Sequence, residues 1–132
     1  MARLFLCCAS ISGFLSVAFG AFGAHALKEK LDAYSLGVFH TAVSYQFWHS
    51  LALAMVGVLC LFANDYILTW AGFCFLFGLP VFSGSLYILS ISGVKLWGAV
   101  TPIGGLAFLA GWACLAYFCY SKGDVLCQRL QS

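Results

Sequence analysis

The spacing of charge along the chain is what most narrows the fold. Arg3 is followed by no charged residue until Lys28, Asp32 by none until Asp65, Asp65 by none until Lys95, and Lys95 by none until Lys122. A helix that crosses the hydrocarbon core of a bilayer needs about 20 mostly apolar residues. Each interval is long enough for one crossing and too short for two. The sequence therefore predicts an all-α membrane protein, a bundle of four transmembrane helices in a single domain over 1–132, with spans near 4–27, 42–63, 66–90 and 97–121. Four crossings put both termini on one side.

Composition agrees. Of 132 residues, 64% are hydrophobic and 8% charged, with mean hydropathy +1.02, whereas a water-soluble domain carries about 25% charged residues. The lipid bilayer is the expected surrounding. Net charge is +2, with no basic run or RNA-binding motif, so no nucleic acid partner is expected. Arg3, Lys122 and Arg129 fall on the terminal side and Lys28, Lys30 and Lys95 on the other. This tie leaves the positive-inside rule without a preferred orientation.

The first span has a competing reading. Its basic start, apolar stretch and small residues near the end also fit a secretory signal, but the stretch exceeds the usual 7–15 residues. It also carries Ser12, Ser16, Gly20 and Ala24 four apart, the stripe of a helix packed closely on a neighbour. A retained helix is the reading adopted. Gly104, Ala107 and Gly111 form a similar stripe on the fourth span, and Gly23 joins the first.

Between the first two spans, Leu27, Leu31, Tyr34 and Val38 alternate with Lys28, Glu29, Lys30 and Asp32. That spacing predicts a short amphipathic interfacial helix between the first two spans, with the start of the second span as the alternative. Asn64 and Asp65 make a tight second connection, and Trp97 near the third fits an interfacial anchor. Pro80 lies inside the third span and is expected to kink it. Thr101–Pro102 has the form of an N-cap followed by Pro at the first helical position, which would start the fourth helix proper at residue 102. Seven cysteines, an odd number with no C-x-x-C pair, read as small apolar residues and not as a disulfide or metal framework.

The polar residues gather. His25, Tyr45, Gln46, His49, Ser83, Ser85, Tyr87 and Thr101 all fall near the helix ends that face the two longer loops, in one leaflet half. Thr41, Tyr45 and His49 share a helix face, Gln46 lies beside it, and His40 falls nearly opposite. Polar groups in hydrocarbon must be paired or face a wet cavity. Three uses follow: hydrogen bonds between helices, a pocket that binds or passes a small solute or proton, or a metal or catalytic site. The last has a thin ligand set, with no carboxylate, nearby Cys or H-E-x-x-H. No enzyme activity, metal or cofactor is expected. Phe73, Phe75 and Phe77 read as packing or lipid-facing residues.

Four ordered stretches, GAFGAHALK (20–28), TAVSYQFWHSLAL (41–53), FSGSLYIL (82–89) and TPIGGLAFLAGW (101–112), resemble the YgdD-like family of small bacterial inner-membrane proteins, whose eukaryotic relatives are called transmembrane protein 256. The resemblance covers nearly the whole chain. It implies a four-helix membrane protein, placed in the inner (plasma) membrane in a bacterium, and it implies no activity. His40 and the cysteine-rich start do not match the family pattern.

The expectation is a small binding or transport-like pocket on His25, Tyr45, Gln46 and His49, walled by Ser83, Ser85, Tyr87 and Thr101, for a small molecule of unspecified kind. The alternative is an accessory protein that docks other membrane proteins or a second copy of itself through its glycine stripes and the 27–38 helix.

Overall fold

The computed structural model describes the backbone of residues 1–131 and the side chains of residues 1–122; the expectations for Cys127 and Arg129 lie outside the described side chains. Four helices account for the fold: α1 Ala2–Leu27, α2 Ala33–Phe62, α3 Tyr66–Ser92 and α4 Leu96–Gln131. All four are long and apolar enough to cross a membrane.

Local chemistry sets the helix ends. The Ser35 amide donates to Asp32 Oδ1 at 2.7 Å and the Ile67 amide to Asp65 Oδ1 at 2.7 Å, so a carboxylate satisfies one orphan amide at the start of α2 and of α3. Gly93 ends α3 in the left-handed conformation, φ +70°, which glycine adopts without a Cβ penalty. Pro80 widens α3 into a π-helical turn over Leu79–Ser83 instead of breaking it. A second π-helical turn, Gly23–Leu27, closes α1.

Two expectations need correction. No separate interfacial helix forms over 27–38. Leu27 ends α1, and residues 33–38 are the first turns of an unbroken 30-residue α2 that starts directly after its Asp32 cap. Tyr34 is 71% exposed and does not continue the stripe of buried Leu27. Thr101 is likewise no N-cap. Helix α4 starts at Leu96 and carries Pro102 inside it. Pro102 has no amide to give the Gly98 carbonyl. Thr101 Oγ1 lies 2.7 Å from Ser85 Oγ and 3.3 Å from the Trp97 carbonyl, and since the Ser85 proton goes to the Phe82 carbonyl, Thr101 donates to Ser85.

The helices pack in series. Helix α1 lies on α2, α2 on α3 and α3 on α4, while α1 and α4 do not meet among the described residues. Lipid tails are as apolar as leucine, so close packing holds such contacts together. The small residues do this by seating aromatic rings. The Phe5 ring fills the space a side chain at Gly72 would take, and Phe75 lies 2.8 Å from an ideal Cβ at Gly111. Phe39 lies 2.8 Å from one at Gly23, and the Phe82 backbone fills the space at Gly104. Phe5, Leu53, Val56, Leu68, Phe75, Phe108 and Phe118 form the core. Serial packing leaves two V-shaped clefts: α1 and α3 wall one over a floor on α2, and α2 and α4 wall the other over a floor on α3.

Candidate functional site

The first cleft encloses about 390 Å³. Cys8, Ile11, Leu15 and Phe19 wall it on α1, and Leu76, Leu79 and Pro80 wall it on α3, with Ser12, Gln46, Ser83 and Tyr87 as its polar groups. The mouth faces the lipid side, where Ile11 is 61% exposed and Pro80 is exposed.

Gln46 ties three helices together. Tyr87 Oη donates to Gln46 Oε1 at 2.7 Å, and Gln46 Nε2 donates to the Ser12 carbonyl at 3.0 Å. Ser50 Oγ lies 2.6 Å from the Gln46 carbonyl and 2.8 Å from Ser12 Oγ. A carbonyl only accepts, so the Ser50 proton goes to Gln46 and the Ser12 hydroxyl supplies the other bond. The rings of Phe19 and Phe39 pack against Tyr87 at centroid distances of 5.1 and 5.0 Å. Ser83 is different: its residue is 1% exposed and its hydroxyl has no hydrogen-bond partner.

The second cleft, about 570 Å³, is lined by Tyr45 and His49 on α2, Phe82 on α3, and Pro102, Gly105, Phe108 and Trp112 among others on α4. His49 is held on both ring nitrogens. Nδ1 lies 2.8 Å from the Tyr45 carbonyl and Nε2 lies 3.4 Å from Trp112 Nε1. A carbonyl only accepts and an indole only donates, so these partners select the neutral imidazole with its proton on Nδ1. Phe108 stacks on the ring at 3.5 Å between centroids, 9° from parallel.

The expected cluster is therefore divided. Gln46, Ser83 and Tyr87 face the first cleft, and Tyr45 and His49 face the second. Ser85 and Thr101 form their own clamp between α3 and α4 at 2.7 Å. His25 joins none of them. It is exposed at the end of α1, because the π-helical turn that holds it seats Gly23 against Phe39 and turns the imidazole outward. A pocket built on His25 and His49 together does not form.

Depth is also corrected. Gln46 stands 13 residues after Ala33 and 16 before Phe62, counted from the bounds of α2. At about 1.5 Å per residue that is near mid-helix and not at the loop-facing end. The displacement follows from α2 starting well before residue 42.

Sequence reasoning missed several participants. On the sequence Ser12 reads as a packing residue alone, and nothing there brings Ser50, Phe108 or Trp112 into the cluster. Ser50 could have been found as the residue four after Gln46, and Trp112 as an indole N–H that needs an acceptor in lipid. Ser12 and Phe108 carry no such signal. Among the described residues no three His, Cys, Asp or Glu side chains stand close enough to hold a metal ion together, and the six described cysteines are free.

Comparison with known proteins gives the family. Residues 19–105 match DUF423, described as a protein of unknown function. The chain is similar to the UPF0382 membrane protein SH2409 of Staphylococcus haemolyticus, with 42% identity over 113 residues, covering 86% of this chain and 92% of the relative. It is also similar to the UPF0382 inner membrane protein YgdD of Escherichia coli, with 43% identity over 111 residues, covering 84% and 85%. No solved structure matches it. Four apolar membrane-length helices and these relatives together place the chain in the DUF423 family, as a multi-pass integral membrane protein.

Proposed function

We propose that the protein binds a small amphiphilic molecule in the cleft between α1 and α3, taken up sideways from the surrounding lipid. The observation that carries this reading is the cleft's make-up: apolar walls that reach an exposed lipid-side mouth, around a polar network in which Gln46 on the floor bonds Ser12 and Tyr87 on the two walls. A solute with one polar end and an apolar body matches both surfaces. Binding, and not catalysis, is the function proposed.

Passage of a proton or water-soluble solute is less well supported. Gln46 and His49 are three residues apart on α2, about 60° around the helix, and they serve different clefts. Docking through the glycine stripes has little free surface to use, since Gly23, Gly104 and Gly111 are already covered by Phe39, Phe82 and Phe75.

The test uses the protein in bilayer nanodiscs and a neutral alkyl ketone with a diazirine on its chain. Photolabelling is expected to concentrate on Ile11, Leu15 and Leu76 over the exposed Phe14 and Leu109. Gly84 lines the cleft and has open space where a side chain would start. Gly84→Phe is expected to fill the cleft and reduce that labelling at least tenfold at unchanged helicity. Even labelling of all lipid-facing residues, unaltered by Gly84→Phe, would refute the reading.

A further inference from the structure

Serines inside these helices normally satisfy themselves. Ser10, Ser16, Ser50, Ser85, Ser90 and Ser92 each donate to a carbonyl three or four residues back, at 2.6–2.9 Å. This is the usual way a serine hydroxyl is accommodated in a helix. Ser83 does not do so. Among the described residues its Oγ is the one buried side-chain polar atom without a partner.

The local backbone supplies a reason. Ser83 closes the π-helical turn that Pro80 opens. In a π-helical turn the hydrogen bonds run to the fifth residue, the coil widens, and carbonyls shift from their α-helical positions. Here Ser83 Oγ reaches neither the Leu79 nor the Pro80 carbonyl, the acceptors four and three residues back that a helical serine uses. Ser83 lines the first cleft, with its Oγ buried beneath that lining. An unpaired hydroxyl in hydrocarbon is unfavourable, and a buried group of this kind in a native fold calls for an explanation.

The other polar groups narrow the choice of ligand. The protons of Tyr87 and Ser50 and the amide of Gln46 are all directed within the network of Gln46 and Ser12. Ser83 is the free donor. No charged residue lines the cleft, and an ionised head at this depth would be costly without a counter-charge.

We propose that Ser83, turning its buried hydroxyl about the Cα–Cβ bond into the cleft, is the donor that holds the head of an uncharged amphiphile, one bearing an acceptor oxygen such as a carbonyl or ether on an alkyl body. The cleft's 390 Å³ is the space of about a dozen waters at ~30 Å³ each, so the part enclosed is roughly a dozen non-hydrogen atoms. This inference rests on the binding function proposed above and adds the ligand's chemical class and the residue that selects it.

The experiment compares three twelve-carbon probes on the protein in nanodiscs: 2-dodecanone with a ¹³C-labelled carbonyl, dodecane, and dodecanoate. Each is tested on the native chain and on Ser83→Ala. The expected result is saturable retention of 2-dodecanone with its carbonyl stretch shifted to lower frequency, and no saturable retention of dodecanoate. In Ser83→Ala the stretch should return to its value in lipid and ketone affinity should fall roughly five- to tenfold, with dodecane affinity unchanged. Ser83→Cys, of similar size but a weaker donor, should fall between the two. If ketone and dodecane bind equally well and Ser83→Ala alters neither affinity nor stretch, the role of Ser83 is overturned while the cleft still stands as a binding site. Dodecanoate bound as tightly as the ketone would overturn the uncharged class. If neither ketone nor dodecane is retained, the cleft reading falls and the inference with it.

Discussion

The two clefts are built alike and furnished differently. Each lies between helices one apart in the chain, over the helix between them. The first has neutral hydrogen-bonding groups at its floor and a free hydroxyl on its wall. The second has the ionisable His49, but both ring nitrogens are already bonded and a phenylalanine lies flat on its face. A charge-capable side chain in a membrane usually draws attention first. Here the histidine is closed off by its neighbours, and the serine, chemically the plainer group, is the one left unpaired. The contrast argues for reading intramembrane polar residues by which of their bonds remain unmade, and not by whether they titrate.

Substitutions can break this comparison. The largest effect is expected at the α3–α4 seam beneath the second cleft. A Cβ at Gly104 would run into the Phe82 backbone, whereas one at Gly105 meets the Phe82 ring at 3.6 Å, an ordinary contact. Gly104→Ala should therefore destabilise by about 3 kcal/mol through forced separation of the two helices. Gly105→Ala should be neutral or slightly stabilising, since alanine favours helix by ~0.5–1 kcal/mol. Thermal unfolding in mild detergent distinguishes them, and equal midpoints would mean the seam is not tightly closed.

A smaller effect separates the two polar arrangements. Gln46→Leu removes bonds to α1 and α3 together and leaves Tyr87 Oη unpaired, at a cost of about 1–2 kcal/mol. Trp112→Phe removes one long bond to His49, worth about 0.6 kcal/mol. The same unfolding assay should rank Gln46→Leu as the more damaging. The reverse order would make the His49 pair the stronger tie.

The smallest effect lies away from both clefts. The Ser35 backbone amide holds the Asp32 carboxyl below the usual carboxylate range. A depressed carboxylate stabilises the folded form at neutral pH, and that contribution is lost as pH falls below about 3.8 and through its lowered value. The protection factor of the Ser35 amide, its exchange rate relative to an unstructured amide at the same pH, should fall over that acid range and stay constant between pH 5 and 8. A fall already at pH 6 would point to a group other than Asp32.

The charge gaps made the four helices legible, because a long uncharged run has few uses outside a membrane. They did not show where α2 begins. Asp32 ends the charged connection, but nothing in residues 33–41 marks the shift from surface to span, and that uncertainty moved Gln46 from mid-helix to the loop side. Periodicity showed that Gln46 and His49 are close on one helix. It could not show that 60° suffices to direct them into different clefts, because that depends on which helices flank α2. The outward turn of His25 is hidden in the sequence for a related reason. Its place beside Gly20 and Gly23 shows close packing but not which way a widened turn rotates the side chain. Pro80 was legible as a distortion, and the hydroxyl it frees three residues later was not.

That α1 and α4 do not meet among the described residues has a bearing on how the chain is made. Each helix rests chiefly on the one synthesised before it, and the few contacts that skip a helix, such as Phe5 on Gly72 and Trp112 on His49, wait for one further helix only. Long-range closure is what slows folding and leaves intermediates exposed. A fold laid down one helix against the last can be completed in the order in which it enters the membrane.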